Sequence, residues 1–292
     1  MDVPSGLLQG HGSAIDVADR TQGADAQRLT ANIGVELRGI DLGAGIDDAV
    51  VDVLRTALGA HHVVVLRGQH LSAAQHATLA RAFGPIQASP VQLAAGRRSP
   101  AGLVSTIEDT AARPPAGFPW HTDVSWTSEP PGLGFLSAVV IPEFGGDTIW
   151  ASTAAIYDAL PPQVRTLCER CTVVHAPDAS LLASVERHQG PEAAARLRRG
   201  HPGVEHPLVQ AHPRTGRKSL FLCPLYARRI IGPAGADDRL HSMLDDPHVQ
   251  LRWRWAAGDL VIWDETSTCH RALTDHHPQR RVMRRCVTAR TG

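Results

Sequence analysis

The sequence lacks the features that mark several classes of protein. Its 292 residues carry a formal net charge of zero, so composition gives no reason to expect binding to nucleic acid or to an anionic membrane surface. No stretch reaches the roughly 18 consecutive apolar residues that indicate a membrane-spanning helix. The N-terminus has no basic segment followed by an apolar core, which argues against a secretory signal. These absences predict a cytoplasmic protein that binds neither nucleic acid nor membrane.

Lysine and cysteine are scarce as well. Lys218 is the only lysine among 29 basic residues, a bias that we attribute to genomic base composition rather than to an arginine-rich binding surface. The five cysteines are odd in number and widely scattered, unlike the disulfide framework of a small secreted protein. Hydrophobic residues make up 43% of the chain, which is enough for a sizeable core in one large domain with insertions.

The chain begins with a polar stretch and then alternates between helix and strand patterns. Residues 1–27 are rich in Gly, Asp, Ser and Gln without periodicity, and we expect a mobile leader there, followed by a single domain over residues 28–292. Helical spacing of apolar residues predicts a helix over 46–58, and the capping box formed by Ser72 and Gln75 predicts another over 72–83.

Most of the later apolar stretches are short and bounded by turn residues, which predicts strands. Strands with helices placed mainly early in the chain indicate a mainly β fold, an antiparallel sandwich with flanking helices. Residues 90–119 are long, irregular and punctuated by Gly and Pro, and residues 178–203 are polar with one predicted helix at 191–199. We expect both segments to be lids over a binding site.

The triplet His121-Thr122-Asp123 has the chemistry of a metal site. In an extended strand, side chains two residues apart point to the same face, so His121 and Asp123 can direct a nitrogen and an oxygen at one point. His270, from a distant strand, would complete the two His and one carboxylate that are typical of non-heme Fe(II) oxygenases. Alone, a His-x-Asp triplet is expected about once by chance in a chain with 16 His, and a strand with one solvated polar face also explains it.

Motifs along the chain place this triplet in a wider pattern. They are Trp120-His121-Thr122-Asp123-Val124, Gly145-Gly146-Asp147-Thr148-Ile149-Trp150, His206-Pro207-Leu208-Val209, Gly258-Asp259-Leu260-Val261-Ile262-Trp263-Asp264, His270-Arg271-Ala272 and Pro278-Gln279-Arg280-Arg281. In order and spacing, from about residue 29 to about residue 288, the sequence resembles the taurine/alpha-ketoglutarate dioxygenase family. The resemblance implies a double-stranded β-helix, or jelly roll, whose open mouth would hold a metal.

The resemblance also implies cofactors and residue roles. Fe(II) would be held by His121, Asp123 and His270, which are therefore the predicted catalytic residues. The remaining positions on the metal would take 2-oxoglutarate, the co-substrate, and O2. In the family, an Arg and a Thr that match Arg281 and Thr148 bind the far carboxylate of 2-oxoglutarate, and a guanidinium can grip a carboxylate with two parallel hydrogen bonds.

A second arginine points to the substrate. Residues 281, 283, 285 and 287 of a strand share one face, so Arg285 would face the cavity together with Arg281, and a buried guanidinium needs an anion. In the family, an Arg at this position lies near the metal-bound end of 2-oxoglutarate and binds the sulfonate or carboxylate of the substrate. Arg280 and Arg284 fall on the other face and are expected to be solvated.

Departures from the family's pattern bear on the substrate. Phe118 and Pro119 stand where taurine dioxygenase has polar groups, and Ser89 and Gln92 replace its substrate-binding His and Tyr. These changes suggest an anion that is larger or more apolar than taurine, bound by Arg285, Ser89, Gln92 and Phe118. Glu265 replaces the family's usual Asn after Trp-Asp.

The sequence therefore predicts an Fe(II)- and 2-oxoglutarate-dependent dioxygenase that hydroxylates a small anionic substrate of the sulfonate, alkyl sulfate or carboxylate class. Succinate and CO2 would be the co-products. The same iron site could instead carry out desaturation or ring closure in a biosynthetic pathway. A zinc hydrolase with these ligands would leave Arg281 and Thr148 without an evident role, and the intact triad argues against a non-catalytic binding protein. A homodimer or homotetramer is compatible with the sequence.

Overall fold

The computed structural model describes residues 25–96, 104–115, 117–233 and 239–291. Its strands, in chain order, are β1 (Asp25–Arg28), β2 (Val35–Arg38), β3 (Val63–Leu66), β4 (Ser105–Asp109), β5 (Pro131–Val140), β6 (Thr148–Ser152), β7 (Thr172–His175), β8 (Val204–Pro207), β9 (Val209–Ala211), β10 (Lys218–Leu220), β11 (Ala227–Ile231), β12 (Gln250–Trp253), β13 (Leu260–Asp264), β14 (Thr268–Ala272) and β15 (Arg281–Ala289). Its helices are α1 (Asp48–His61), α2 (Ala73–Phe83), α3 (Pro90–Ala94), α4 (Thr153–Ala159), α5 (Pro162–Cys168), α6 (Ala179–Gln189), α7 (Pro191–Gly200) and α8 (Arg239–Ser242).

Two sheets enclose the interior. The larger has the strand order β1-β2-β3-β13-β5-β15-β4, and the smaller has the order β12-β6-β14. Apart from the parallel pair β2–β3, neighbouring strands in both sheets run antiparallel. This arrangement is the predicted mainly β fold, a jelly roll with flanking helices.

The core between the sheets is built from large apolar side chains. Leu136, Trp263 and Met283 come from the larger sheet, and Trp150 and Trp253 come from the smaller one. The rings of Trp150 and Trp263 lie 5.7 Å apart across the interior. Leu136, Trp150 and Trp263 also line the cavity of the candidate site, so the same core that holds the sheets together forms the base of the site.

Helices cover the outer faces of the sheets. In α1 and α2 the buried residues Leu54, Leu58, Leu79 and Phe83 pack against the outer face of the larger sheet. The capping box predicted at Ser72 is confirmed: its side chain accepts a hydrogen bond from the backbone N–H of Gln75, and the backbone N–H of Ser72 donates one to the side-chain oxygen of Gln75. Strand β13 is buried at all five positions, because it lies between this helical layer and the inner core.

Three expectations from the sequence need correction. Segment 90–119 is not irregular throughout, since it contains helix α3 and strand β4, an edge strand that pairs with β15. Segment 178–203 contains two helices, and α6 was not predicted. The predicted leader extends too far, because residues 25–27 belong to β1, which pairs with β2. The rest of that leader lies outside the described residues, and the extent of the single domain stays a prediction.

Candidate active site

Two distant segments bring the three predicted metal ligands together. His270 lies in β14, and His121 pairs with it directly: the N–H of His121 donates to the carbonyl of His270 at 3.0 Å, and the N–H of His270 donates back at 2.8 Å. The sequence predicted an extended strand through Asp123, but within the described ranges this segment pairs only at the bridge residue His121. A turn follows, in which Val124 has a φ of 39°.

The ligand atoms converge despite this difference in backbone. Nε2 of His121 and Nε2 of His270 each lie 3.7 Å from Oδ1 of Asp123, and the three ligand atoms lie within 4.8 Å of one another. Within the described parts of the chain, no other group of three His, Cys, Asp or Glu residues meets this spacing. Two imidazole nitrogens and one carboxylate oxygen on one side of a point suit Fe(II).

Both imidazoles are in the right state to bind a metal. Burial lowers the pKa of His121 to about 4, and it lowers the pKa of His270 well below its ordinary value, so both rings are neutral at pH 7. Nδ1 of His121 lies 2.9 Å from the carbonyl oxygen of Pro119. The ring hydrogen is therefore placed at Nδ1, which leaves the Nε2 lone pair for the metal.

Asp123 is held on two sides. Its backbone N–H donates to Oε2 of Glu265 at 3.0 Å, and its Oδ2 contacts the guanidinium of Arg285. Burial raises the pKa of Glu265 well above its ordinary range. The sequence identified Glu265 only as a departure from the family's Asn, and the structure shows the contact that this departure creates.

The triad opens onto a cavity of about 310 Å³. Its polar end carries the predicted 2-oxoglutarate residues Thr148 and Arg281, together with Asp109 and His276. Oγ1 of Thr148 accepts a hydrogen bond from the indole of Trp255 at 3.0 Å, so the hydroxyl hydrogen is free to donate to a ligand.

Arg281 is buried and incompletely satisfied. The residue is 5% exposed, its NH1 lies 3.9 Å from Oδ2 of Asp109, and its Nε has no hydrogen-bond partner among the residues that the structure describes. Burial lowers the pKa of Arg281 from its ordinary value. A buried guanidinium with an unused N–H fits an incoming carboxylate, as the sequence predicts for the far end of 2-oxoglutarate. His276, which is buried beside it, was not singled out in the sequence.

The four predicted substrate residues surround the triad, although not all line one chamber. Arg285 and Ser89 line both the main cavity and an adjoining compartment of about 110 Å³, Gln92 lines only that compartment, and Phe118 lines only the main cavity. The ring of Phe118 lies 5.8 Å from that of His121.

Arg280 and Arg284 were expected to be solvated, and this expectation holds for Arg280 alone. Arg280 is exposed and pairs with Glu108 at 2.8 Å. Arg284 is half-buried rather than solvated, because its NH1 donates to the carbonyl of Leu71 at 2.7 Å.

The remaining wall of the cavity is apolar. It is formed by Val91 of α3, Val124, Trp126, Leu181 of α6 and Tyr226. Val124 belongs to a motif found in the sequence, but sequence reasoning assigned none of these residues to a cavity wall, because scattered apolar side chains give no pattern that separates a wall from ordinary core.

Comparisons with known proteins agree with this geometry. Residues 25–287 match the model of the family described as taurine catabolism dioxygenase TauD, TfdA family. An alkylsulfatase of Acinetobacter baylyi is 33% identical, over 94% of this chain and 87% of its own. An alpha-ketoglutarate-dependent sulfate ester dioxygenase of Pseudomonas putida is 33% identical, over 95% of this chain and 93% of its own.

Two further proteins widen the comparison. Pentalenolactone F synthase of Streptomyces arenae is 28% identical, over 88% of this chain and 92% of its own. The crystal structure of a taurine dioxygenase from Burkholderia xenovorans superposes with a TM-score of 0.72 at 28% identity, covering 92% of this chain and 91% of that one.

Proposed function

The chain belongs to the TauD/TfdA dioxygenase family, and from that premise we propose that it hydroxylates a small organic anion with an apolar tail, of the sulfate ester, sulfonate or carboxylate class. The enzyme is an Fe(II)- and 2-oxoglutarate-dependent dioxygenase. Bound Fe(II), together with 2-oxoglutarate and O2, supplies the oxidant for a substrate carbon, and 2-oxoglutarate leaves as succinate and CO2.

The arrangement of His121, Asp123 and His270 carries the proposal. Their ligand atoms lie close together on the wall of the cavity, and we assign them as the protein ligands of Fe(II). Arg281 and Thr148, at the polar end of the same cavity, would bind the far carboxylate of 2-oxoglutarate. This assignment gives the unused Nε of Arg281 and the free hydroxyl hydrogen of Thr148 a partner.

Charge and polarity support an anionic substrate. The guanidinium of Arg285 lies beside Asp123 and borders the small compartment lined by Ser89 and Gln92. A sulfate, sulfonate or carboxylate group placed there would contact a cation and two neutral polar side chains next to the metal. The match to the alkylsulfatase and the sulfate ester dioxygenase favours sulfate esters among these classes.

The shape of the cavity supports an apolar tail. Phe118, Val91 and Leu181 line the cavity and pack against one apolar cluster. Taurine, whose second end is an ammonium group, would place that charge against this wall at a desolvation cost. Alkyl sulfates and aryloxyalkanoates would instead bury hydrocarbon there.

A substrate screen tests the proposal. Purified enzyme with Fe(II), 2-oxoglutarate and O2 should release succinate in step with loss of an alkyl sulfate, alkyl sulfonate or aryloxyalkanoate, and taurine should be a poor substrate. Neutral alcohols of the same chain length serve as matched controls. Equal turnover of the neutral alcohols, or preference for taurine, would contradict the proposed substrate class.

Desaturation or ring closure is the second candidate outcome at the same iron. The 28% identity to pentalenolactone F synthase supports this second candidate. Mass spectrometry of the product separates the outcomes, because hydroxylation adds one oxygen atom, whereas desaturation and ring closure remove two hydrogen atoms. Hydroxylation of the carbon that carries the sulfate ester oxygen would give a product that breaks down into an aldehyde and inorganic sulfate.

The described residues include no helix that is long and apolar enough to cross a membrane. We further propose a cytoplasmic location and a homodimer or homotetramer. Fractionation of cells and light scattering of the purified protein measure these two properties.

A further inference from the structure

Glu265 is buried directly behind the metal triad. It is 1% exposed and follows β13 in the turn that leads to His270. The two oxygens of its carboxyl group accept hydrogen bonds from different parts of the chain. Oε2 accepts from the backbone N–H of Asp123 at 3.0 Å, and Oε1 accepts from the indole N–H of Trp263 at 2.8 Å.

The first of these bonds anchors a strained turn. Val124 has a φ of 39°, a conformation that is costly for a β-branched residue and that persists only where the surroundings impose it. The turn begins at Asp123, and its conformation decides where the Asp123 carboxylate points. The hydrogen bond from Asp123 to Glu265 therefore fixes the backbone at the residue whose Oδ1 faces both histidines.

The second hydrogen bond connects Glu265, through Trp263, to the segment that bears His270. The ring of Trp263 lies edge-on to the ring of His270, with centroids 5.1 Å apart. Its other side is closed by Gly134, where a Cβ would come within 2.2 Å of the indole. Trp263 is thus packed between Gly134 and His270. The hydrogen bond from its indole N–H to Glu265 fixes the orientation of the ring.

We propose that Glu265 is a positioning residue that sets the mutual geometry of Asp123 and His270. One carboxyl group ties the turn that bears Asp123 to the indole that supports His270, so the two segments keep their relative position when no metal is bound. The inference rests on the proposed ligand set. Groups that orient metal ligands from behind typically change metal affinity by about 10- to 100-fold when they are removed.

The chain offers a matched control in Asp259. Its Oδ2 also accepts an indole N–H, from Trp253 at 3.1 Å, and a backbone N–H, from Ala256 at 2.9 Å. Asp259 is likewise 1% exposed but does not line the cavity. Asp259 also accepts a hydrogen bond from NH1 of Arg67 at 3.1 Å. Its replacement therefore perturbs the same two kinds of hydrogen bond and an ion pair without touching the triad, so it reports an upper value for the general cost of perturbing a buried carboxyl group.

The experiment measures metal binding by the apoprotein without turnover. Co(II) is titrated into wild type, Glu265→Ala, Glu265→Gln, Asp259→Asn and His270→Ala, and the ligand-field spectrum is recorded. We expect Co(II) affinity to fall about 10- to 100-fold in Glu265→Ala, with an altered spectrum. Glu265→Gln, which keeps one acceptor oxygen, should lie between Glu265→Ala and wild type, and Asp259→Asn should match wild type.

Each outcome decides the proposal. Wild-type affinity and spectrum in Glu265→Gln and Glu265→Ala would overturn the role of Glu265, as would an equal loss in Asp259→Asn. If Glu265→Ala does not fold, Glu265→Gln decides alone, because its side chain has nearly the same size. If His270→Ala also binds Co(II) like wild type, the ligand set itself is wrong, and this result is distinct from failure of the Glu265 inference.

Discussion

The guanidinium of Arg285 lies against Oδ2 of Asp123, the oxygen that does not face the two histidines. Burial lowers the pKa of Arg285 to about 10, so the group is still a cation at pH 7. A positive charge is therefore fixed at the edge of the proposed iron site. It borders both the main cavity and the compartment that holds Gln92.

Arg285→Gln should weaken binding of the anionic substrate more than binding of 2-oxoglutarate. The substitution removes the charge and keeps a hydrogen-bond donor, and a lost charged hydrogen bond costs about 1.5–3 kcal/mol, or roughly 10- to 150-fold in KM. Both constants are measured in the same variant, because the family resemblance implies that Arg285 also lies near the metal-bound end of 2-oxoglutarate. Arg280→Gln, at an exposed arginine just before the same strand, is the control. An unchanged substrate KM in Arg285→Gln would show that Arg285 is structural.

Arg281→Ala should weaken 2-oxoglutarate binding by about 30- to 1000-fold, since a charge-assisted bidentate contact would be lost from a buried site. Calorimetric titration with a redox-inert metal in place of Fe(II) measures this without turnover. 2-Oxovalerate, which lacks the far carboxylate, should lose little affinity in the same variant. Equal losses for both acids would mean that Arg281 does not contact the far carboxylate.

The sequence predicted which side chains converge at the site, but it did not predict the backbone conformation around Asp123. His121, Asp123 and His270 are brought together as expected, but through one paired residue and a turn instead of a continuous strand. Side-chain alternation therefore did not position Asp123. Tertiary contacts did, because Glu265 fixes the Asp123 backbone, and contacts over such sequence separations leave no local pattern.

Alternation did succeed on β15. Arg281, Met283 and Arg285 share the inner face as predicted, with Arg281 and Arg285 lining the cavity and Met283 in the core between the sheets. The expectation that Arg284 is solvated was wrong because α2 and the segment before it cover that side of the strand, where Leu71 provides an acceptor. Face assignment follows from the period of a strand, whereas solvation depends on what packs outside it.

The two predicted lids turn out to meet. Nε of Arg196 in α7 donates to the carbonyl of Ala94 at the end of α3 at 2.7 Å, and apolar residues of α3, α6 and α7 form one cluster with Phe118 and Trp126. Sequence reasoning found both segments from their composition. It missed α6 and β4, because an Ala- and Ser-containing polar helix and a short edge strand have weak periodicity.

Hydrogen exchange should slow in α3, α6 and α7 when 2-oxoglutarate and substrate bind, because closure over the cavity would protect these helices and exclude water. Helix α1, on the far side of the larger sheet, is the internal reference. Arg196→Ala should speed exchange in α3 of the free protein, and Arg198→Ala, an exposed position on the same helix, should not. Unchanged exchange in all three helices on ligand binding would mean that they are static walls.

His175 should make the fold sensitive to acid. It is fully buried and stacks on Phe221 with ring centroids 5.0 Å apart, and in the described part of the chain neither ring nitrogen has a hydrogen-bond partner. Burial lowers its pKa from 6.5 to about 3. As the pH falls below 6.5 the unfolded chain takes up a proton at this residue and the folded chain does not, so the free energy of unfolding decreases.

By pH 5 this single residue should cost about 2 kcal/mol of stability. Denaturant unfolding of the apoprotein at pH 7.5 and pH 5 measures the loss. In His175→Phe, which keeps the stacked ring, the decrease between the two pH values should be smaller by about that amount. The same decrease in wild type and in the variant would assign the acid sensitivity to other buried groups.

We propose that His121, Asp123 and His270 hold an Fe(II) ion that 2-oxoglutarate chelates. Anaerobic addition of 2-oxoglutarate to the Fe(II)-loaded wild-type protein should produce a visible metal-to-ligand charge-transfer band. The same titration of His270→Ala should produce none, because the metal would lack one of its three protein ligands. A full band in His270→Ala, or no band in wild type, would contradict the account.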